Sequence, residues 1–322
     1  MKFIELKSSL NIIDNAYYLF GKDAFLLSSA QKLIENACAP LMPDFNIARF
    51  NEEDFDVCKI LEACSSYPLG DNFRCVVVKG GDFNKSVLEK FTNYLKAPNK
   101  STCLVIVEPI GGKEFGGKLL SKYATQVDCN YLEETLLKKI VAKNLGDLGV
   151  RIDVQGLDAL VKYCNYDLTR LNLEISKLAN FVGKGNMVDV AAVDKLVSKD
   201  VEYSIFELTN ALSEKNNKKC FDVLNFLVES GQSAQMLLAL ILNSFRRMFY
   251  AVITKATNAD IASMLDVKEY AIKIAKAQGM KFTPVKLKKI LELGANMDLE
   301  IRRGGIDSLN AVYTFVSNIL LM

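Results

Sequence analysis

The chain has 322 residues, half of them hydrophobic and 24% charged. That is enough apolar material for two or three packed domains and too much for a disordered chain. Forty Lys and Arg against 38 Asp and Glu leave a formal charge of +2, so the chain as a whole is not a polyanion binder and any nucleic-acid surface is local. It has no histidine, which excludes Ser-His-Asp and Cys-His nucleophiles and every His-containing metal site.

The first 130 residues alternate strand-like runs with helical stretches. Residues 16–20 are a β-rich run ended by Gly21, and Asp23 suits the cap of a following helix. Residues 45–50 alternate with period two, as a half-exposed strand does. Residues 52–65 read as a helix whose first turn holds Glu52, Glu53 and Asp54, suited to the positive end of the helix dipole. A loop with Pro68 and Gly70 follows, then a strand over 73–79, a helix over 86–96 and a continuous apolar strand over 102–107. This rhythm predicts an α/β domain over 1–130 with a mainly parallel sheet whose last strand is 102–107.

After residue 130 the pattern turns helical. Helices are expected over 132–144, 154–164, 168–181 and 190–197, giving a small helical domain over 131–202. Seven more are expected over 205–212, 218–229, 234–254, 258–265, 268–278, 284–297 and 308–320, giving a larger helical domain over 203–322. Lys2, Glu5 and Lys7 break up the opening apolar residues, so no signal peptide is expected. Asn243, Ser244, Arg246 and Arg247 interrupt the longest apolar region, so no membrane span is expected and the chain reads as cytoplasmic. Of the eight cysteines no two are spaced CxxC, which argues against a zinc knot. They read as small buried hydrophobes in a reducing compartment.

The strongest catalytic motif is a near miss. Residues 112–119 spell Gly-x-x-x-x-Gly-Lys followed by Leu119, where a P-loop needs a Ser or Thr hydroxyl for Mg²⁺. Ser121 comes two residues too late, and Glu108 stands alone at the end of its strand. The motif also follows the last expected strand instead of the first. At the first strand–helix turn, Phe20-Gly21-Lys22-Asp23 has one glycine and a capping acid, too short to wrap a triphosphate. No catalytic residue, metal or cofactor is therefore expected. An active P-loop ATPase using 112–118 is the enzymatic alternative.

Two surfaces suggest binding. Residues 268–289 hold seven lysines against one acid, Glu269, with Arg302 and Arg303 beyond them and Arg246 and Arg247 on an earlier helix. Arg246, Arg247, Lys273, Lys276, Arg302 and Arg303 are candidate contacts to DNA or to acidic partner subunits, although charge runs are often only solvated faces. A stand-alone DNA-binding protein built on this region is the second alternative. The loop 65–72 carries Tyr67, Pro68 and Leu69 where exposure is expected, the composition of an anchor for a partner's pocket or of a loop folded onto its own domain.

The order of these segments resembles the delta subunit of the bacterial DNA polymerase III clamp loader. The resemblance runs from about Tyr17 to Leu320. It is carried by Tyr18-Leu19-Phe20-Gly21-Lys22-Asp23 and by Tyr67-Pro68-Leu69-Gly70-Asp71-Asn72-Phe73. Asn93-Tyr94-Leu95-Lys96-Ala97-Pro98 follows, then Asp167-Leu168-Thr169-Arg170-Leu171. The last pieces are Glu202-Tyr203-Ser204-Ile205-Phe206-Glu207-Leu208 and Asp298-Leu299-Glu300-Ile301-Arg302-Arg303-Gly304-Gly305-Ile306-Asp307. It implies an AAA+-like domain with a degenerate nucleotide site, a small helical lid domain and a helical collar domain. The implied role is gripping the sliding clamp (the beta subunit) and helping to open its ring, without hydrolysing ATP. The implied partners are that clamp, the loader's ATPase subunits and delta-prime subunit through the collar, and DNA within the assembly, with no membrane. The clamp contacts would be Tyr67, Pro68, Leu69, Gly70 and Phe73. The family presents two adjacent large apolar residues in this loop; here the pair is Leu69 and Gly70, with Tyr67 or Phe73 as replacement.

Overall fold

Parallel strands with long apolar runs need cover on both faces, and the first half of the chain is built on that requirement. The computed structural model describes residues 1–322 except 82, 109–119, 121 and 268. It divides into two units, Met1–Leu132 and Glu133–Met322.

In the first unit β1 (Ala16–Phe20), β2 (Ile47–Phe50), β3 (Arg74–Lys79), β4 (Thr102–Glu108) and β5 (Thr125–Asp128) form a sheet in the order β2-β3-β4-β1-β5. Every pairing is parallel. The central strands β3 and β4 are the most apolar, and Val76, Val77, Leu104 and Val105 are fully buried. The helices around them start where a side chain satisfies the first N–H groups: Asp23 for α2 (Ala24–Cys38), Asp56 for α4 (Val57–Ser65) and Asn84 for α5 (Lys85–Leu95).

Four local expectations change. The strand expected over 45–50 begins only at Ile47. Phe45 instead lies in a helical turn, α3 (Pro43–Asn46), which Pro43 starts at its first position. The helix expected over 52–65 is broken: Glu52–Asp54 is a 3₁₀ turn and Asp56 caps the true helix by accepting from Cys58 and Lys59 N–H. The break lets Phe55 pack edge-on against Phe83, with ring centroids 5.4 Å apart. A strand also follows 102–107, because β5 pairs with β1; only Val127 of its four residues is buried, so its apolar signal is faint. Seven cysteines are buried as expected, but Cys58 is exposed. The P-loop-like stretch 112–119 lies outside the described residues.

In the second unit the expected helices appear with ends shifted by a few residues, and one short pair of strands, Arg151–Ile152 and Met187–Val188, joins them. Two-residue strands leave no readable periodicity. The helices relevant below are α8 (Leu168–Val182), α10 (Val201–Ser213), α12 (Ala234–Ile253), α14 (Glu269–Gly279), α15 (Pro284–Arg302) and α16 (Ser308–Leu321). Contrary to the expectation, α12 is long and apolar enough to cross a membrane by length and composition, with a mean hydropathy of 1.5. It is the core helix of this unit: Leu237, Leu238, Ile241, Phe245 and Met248 are buried in the main cluster with Leu208, Leu287 and Phe315. Phe245 meets Phe282 edge-to-face with centroids 5.8 Å apart. Phe245→Ala is expected to destabilise this unit by about 3–5 kcal/mol, read as a lower midpoint in denaturant unfolding.

Candidate functional site

In open parallel sheets small ligands bind beyond the C-terminal ends of the strands. Among the described residues, the turn after β1 is packed against the chain leaving β5 at that edge. Gly21 follows β1 with φ +147°, and a Cβ there would lie 2.3 Å from the backbone carbon of Cys129. The turn is therefore pressed against the chain leaving β5. Asp23 N–H donates to the Cys129 carbonyl at 3.2 Å, and Lys22 N–H donates to Asn130 Oδ1 at 3.2 Å. At the N-terminus of α2, Asp23 Oδ1 accepts from Phe25 and Leu26 N–H at 3.0 and 3.1 Å. These are donors a phosphate would need, and an internal carboxylate of the same sign holds them. At the end of β4, Glu108 accepts from the Tyr18 hydroxyl. Burial, then that hydrogen bond, pushes the phenol well above its ordinary range.

The opposite edge of the sheet is open and apolar. The segments entering β2 and β3 lie side by side there, because those strands pair in parallel with Ile47 opposite Cys75. Between them sits Asn46, with no exposed surface. Its Nδ2 donates to the Leu69 carbonyl at 2.8 Å and to Asp71 Oδ2 at 2.7 Å, while its Oδ1 accepts from Leu69 N–H at 2.7 Å. Asp71 in turn accepts from Leu41 and Met42 N–H at 3.0 and 2.9 Å. Arg74 adds a bond to the Phe45 carbonyl at 3.0 Å. Partial desolvation pulls the Asp71 carboxyl upward, but the Leu41, Met42 and Asn46 donors together hold it below the ordinary carboxylate value.

This polar hub presents apolar side chains outward. Tyr67 is 80% exposed and Leu69 57%, and Leu41, Met42 and Phe45 are exposed on the neighbouring segment. Of the expected contact residues, Tyr67, Leu69 and Gly70 face solvent, whereas Pro68 and Phe73 are half-buried. Leu41 and Met42 escaped the sequence reading, Phe45 and Asn46 were read only as part of a strand, and Asp71 only as part of the segment that carries the resemblance. A signal for the first two was present, since Pro40-Leu41-Met42-Pro43 is an apolar pair between prolines in a connection, much as Tyr67-Pro68-Leu69 is.

The six basic candidates separate. Arg247 turns toward Glu202 at 3.5 Å and, with Lys273, lines a cavity of 450 Å³ in the second unit together with Tyr166, Phe206 and Tyr270. Arg246 is exposed beside Asn243, and Lys276 is exposed. Arg302 pairs with Asp298 at 2.9 Å and Arg303 with Glu300 at 3.9 Å. The last two charges are thus partly neutralised on their own helix.

Two family profiles match the chain: "DNA polymerase III, delta subunit" over residues 17–130 and "DNA polymerase III delta subunit, C-terminal domain" over residues 202–319. The chain belongs to the DNA polymerase III delta-subunit family. The Bacillus subtilis DNA polymerase III subunit delta is 25% identical over 328 aligned residues, covering 94% of this chain and 92% of that protein. A probable delta subunit from Aquifex aeolicus is 23% identical over 57% of this chain and 50% of its own length. Among solved structures, the Bacillus subtilis DNA clamp loader delta protein superposes with a TM-score of 0.78 at 23% identity, covering 99% of this chain and all of that one. The fold class agrees with the expectation in its outline, a parallel α/β sheet followed by helices, which this likeness shares. Two segments that carried the resemblance to the delta subunit prove to be fold-making. Arg170 ties α8 to the approach of α10 through Asp200 and the Ser198 carbonyl, both at 2.6 Å. Asp307, at the end of the Arg302-Arg303 segment, caps α16.

Asn46→Ala removes partners from both backbone groups of Leu69 and from Asp71, at a cost of about 1–3 kcal/mol. Amide hydrogen exchange should show lost protection at Leu69. Because the folded Asp71 carboxyl lies below its unfolded value, its contribution is fully present above about pH 4 and is lost as pH falls through the lowered folded value. The Leu41 and Met42 amide resonances should shift together in that acid window.

Proposed function

We propose that this delta subunit grips the sliding clamp through the apolar edge of its α/β sheet and helps to open the ring for loading onto primed DNA, without hydrolysing ATP itself. The observation that carries the reading is the pair Tyr67 and Leu69, both large and exposed, with the Leu69 backbone held by the buried Asn46. Rigid apolar anchors of this kind concentrate binding energy when a partner's pocket desolvates them. Docking that favours a clamp conformation with a relaxed interface would shift the population from closed to open rings. The turn after β1, packed against the chain leaving β5 and followed by the Asp23 cap, supports a mechanical role over ATP chemistry.

In this reading the chain works as three parts: 1–130 as clamp-contacting domain, 131–202 as lid and 203–322 as collar. The collar joins the ATPase subunits and the delta-prime subunit in the cytoplasm. Arg246, Arg247, Lys273, Lys276, Arg302 and Arg303 face those neighbours or the enclosed DNA.

The test is binding of the purified chain to its cognate clamp without nucleotide. Wild type should bind, and a Tyr67→Ala, Leu69→Ala protein should bind at least about 30-fold more weakly, as expected for loss of hot-spot anchors. Full-strength binding by that variant would overturn the loop assignment. ATP turnover by the chain, abolished by Lys118→Ala, would establish the ATPase alternative; none is expected.

A further inference from the structure

We infer that Met42 is part of the clamp-docking surface and supplies the apolar contact that residue 70 cannot. This rests on the clamp-gripping reading above. Residue 70 is a glycine in the left-handed region, φ +73°, so the loop turns there without a side chain. The space beside its backbone is not open. A Cβ on residue 70 would lie 3.2 Å from the Met42 sulfur and 3.9 Å from its Cγ and Cε. The Met42 thioether therefore stands beside the Gly70 backbone, next in the chain to the Leu69 anchor, and it is still 43% exposed.

The two segments form one polar-bonded unit. Asp71 holds the Leu41 and Met42 amides, and Asn46 holds Asp71 and both backbone groups of Leu69. Met42 and Leu69 are thus presented together even though 26 positions of chain separate them. A partner that seats Leu69 in an apolar pocket meets Met42 at the same rim. The surface is continuous with the proposed loop, so the occupant is the same clamp. An unbranched thioether adapts to the shape of such a pocket at little strain.

The experiment measures affinity of full-length variants for the clamp, with sedimentation velocity and Leu69 amide exchange as controls. Met42→Ala should weaken binding about tenfold, a typical loss for one interface anchor, while the Leu69 amide stays protected. Met42→Leu should stay within about threefold of wild type, because the swap conserves volume. If Met42→Ala binds at full strength while Leu69→Ala does not, the inference falls and the clamp reading stands. If both bind at full strength, the clamp reading falls and takes the inference with it. If Met42→Ala changes only self-association, a second copy of this chain covers the patch and the inference is overturned.

Discussion

The exposed apolar edge of the sheet in this delta subunit depends on one buried amide. Asn46 has no exposed surface and directs both ends of its side chain at a loop more than twenty residues away. An amide in that position offers a donor and an acceptor at once, so it can hold the N–H and the carbonyl of the same residue, Leu69. Loops with exposed apolar side chains tend to fold back and bury them. Leu69 remains outside while its own N–H and carbonyl are satisfied from below by Asn46. Asp71 extends the same bonding to Leu41 and Met42, and the negative charge it keeps makes those bonds stronger than neutral ones.

The parallel sheet separates two edges with different fates. At the C-terminal edge, where related architectures place phosphates, this chain caps α2 with its own Asp23 carboxylate and packs the turn after β1 against the backbone after β5. At the N-terminal edge, the segments entering β2 and β3 are neighbours because their strands pair in register. A sheet of this kind is stiff, since its central strands are buried on both faces. A loop backbone bonded to such a base, as that of Leu69 is, has little further freedom to lose.

Much of the fold could be read from local patterns, because those patterns reflect local physics. The apolar runs of β3 and β4, the self-capping Asp23 and the helical stripes of the second half each record an interaction within a few residues. The single glycine and acid at the first turn also made the self-capped start of α2 legible. Where local signals competed, the reading slipped. Phe45 fitted a period-two strand yet joined a proline-started turn. The acids Glu52–Asp54 looked like a first helical turn, but Asp56 caps the helix and Phe55 turns aside to meet Phe83.

What the sequence by itself determined was the succession of the apolar strands and of the long helices, the lack of histidine chemistry and the apolar character of the loop around Leu69. Only the tertiary structure decided which residues share a surface with that loop. Asn46 carries no motif, and the contacts that join it, Asp71 and Met42 to the loop span 23 to 30 residues of chain. The pairing of β2 with β3 brings those positions together. It follows from β2 lying along the buried strand β3 in one sheet, a constraint that belongs to the packed chain as a whole.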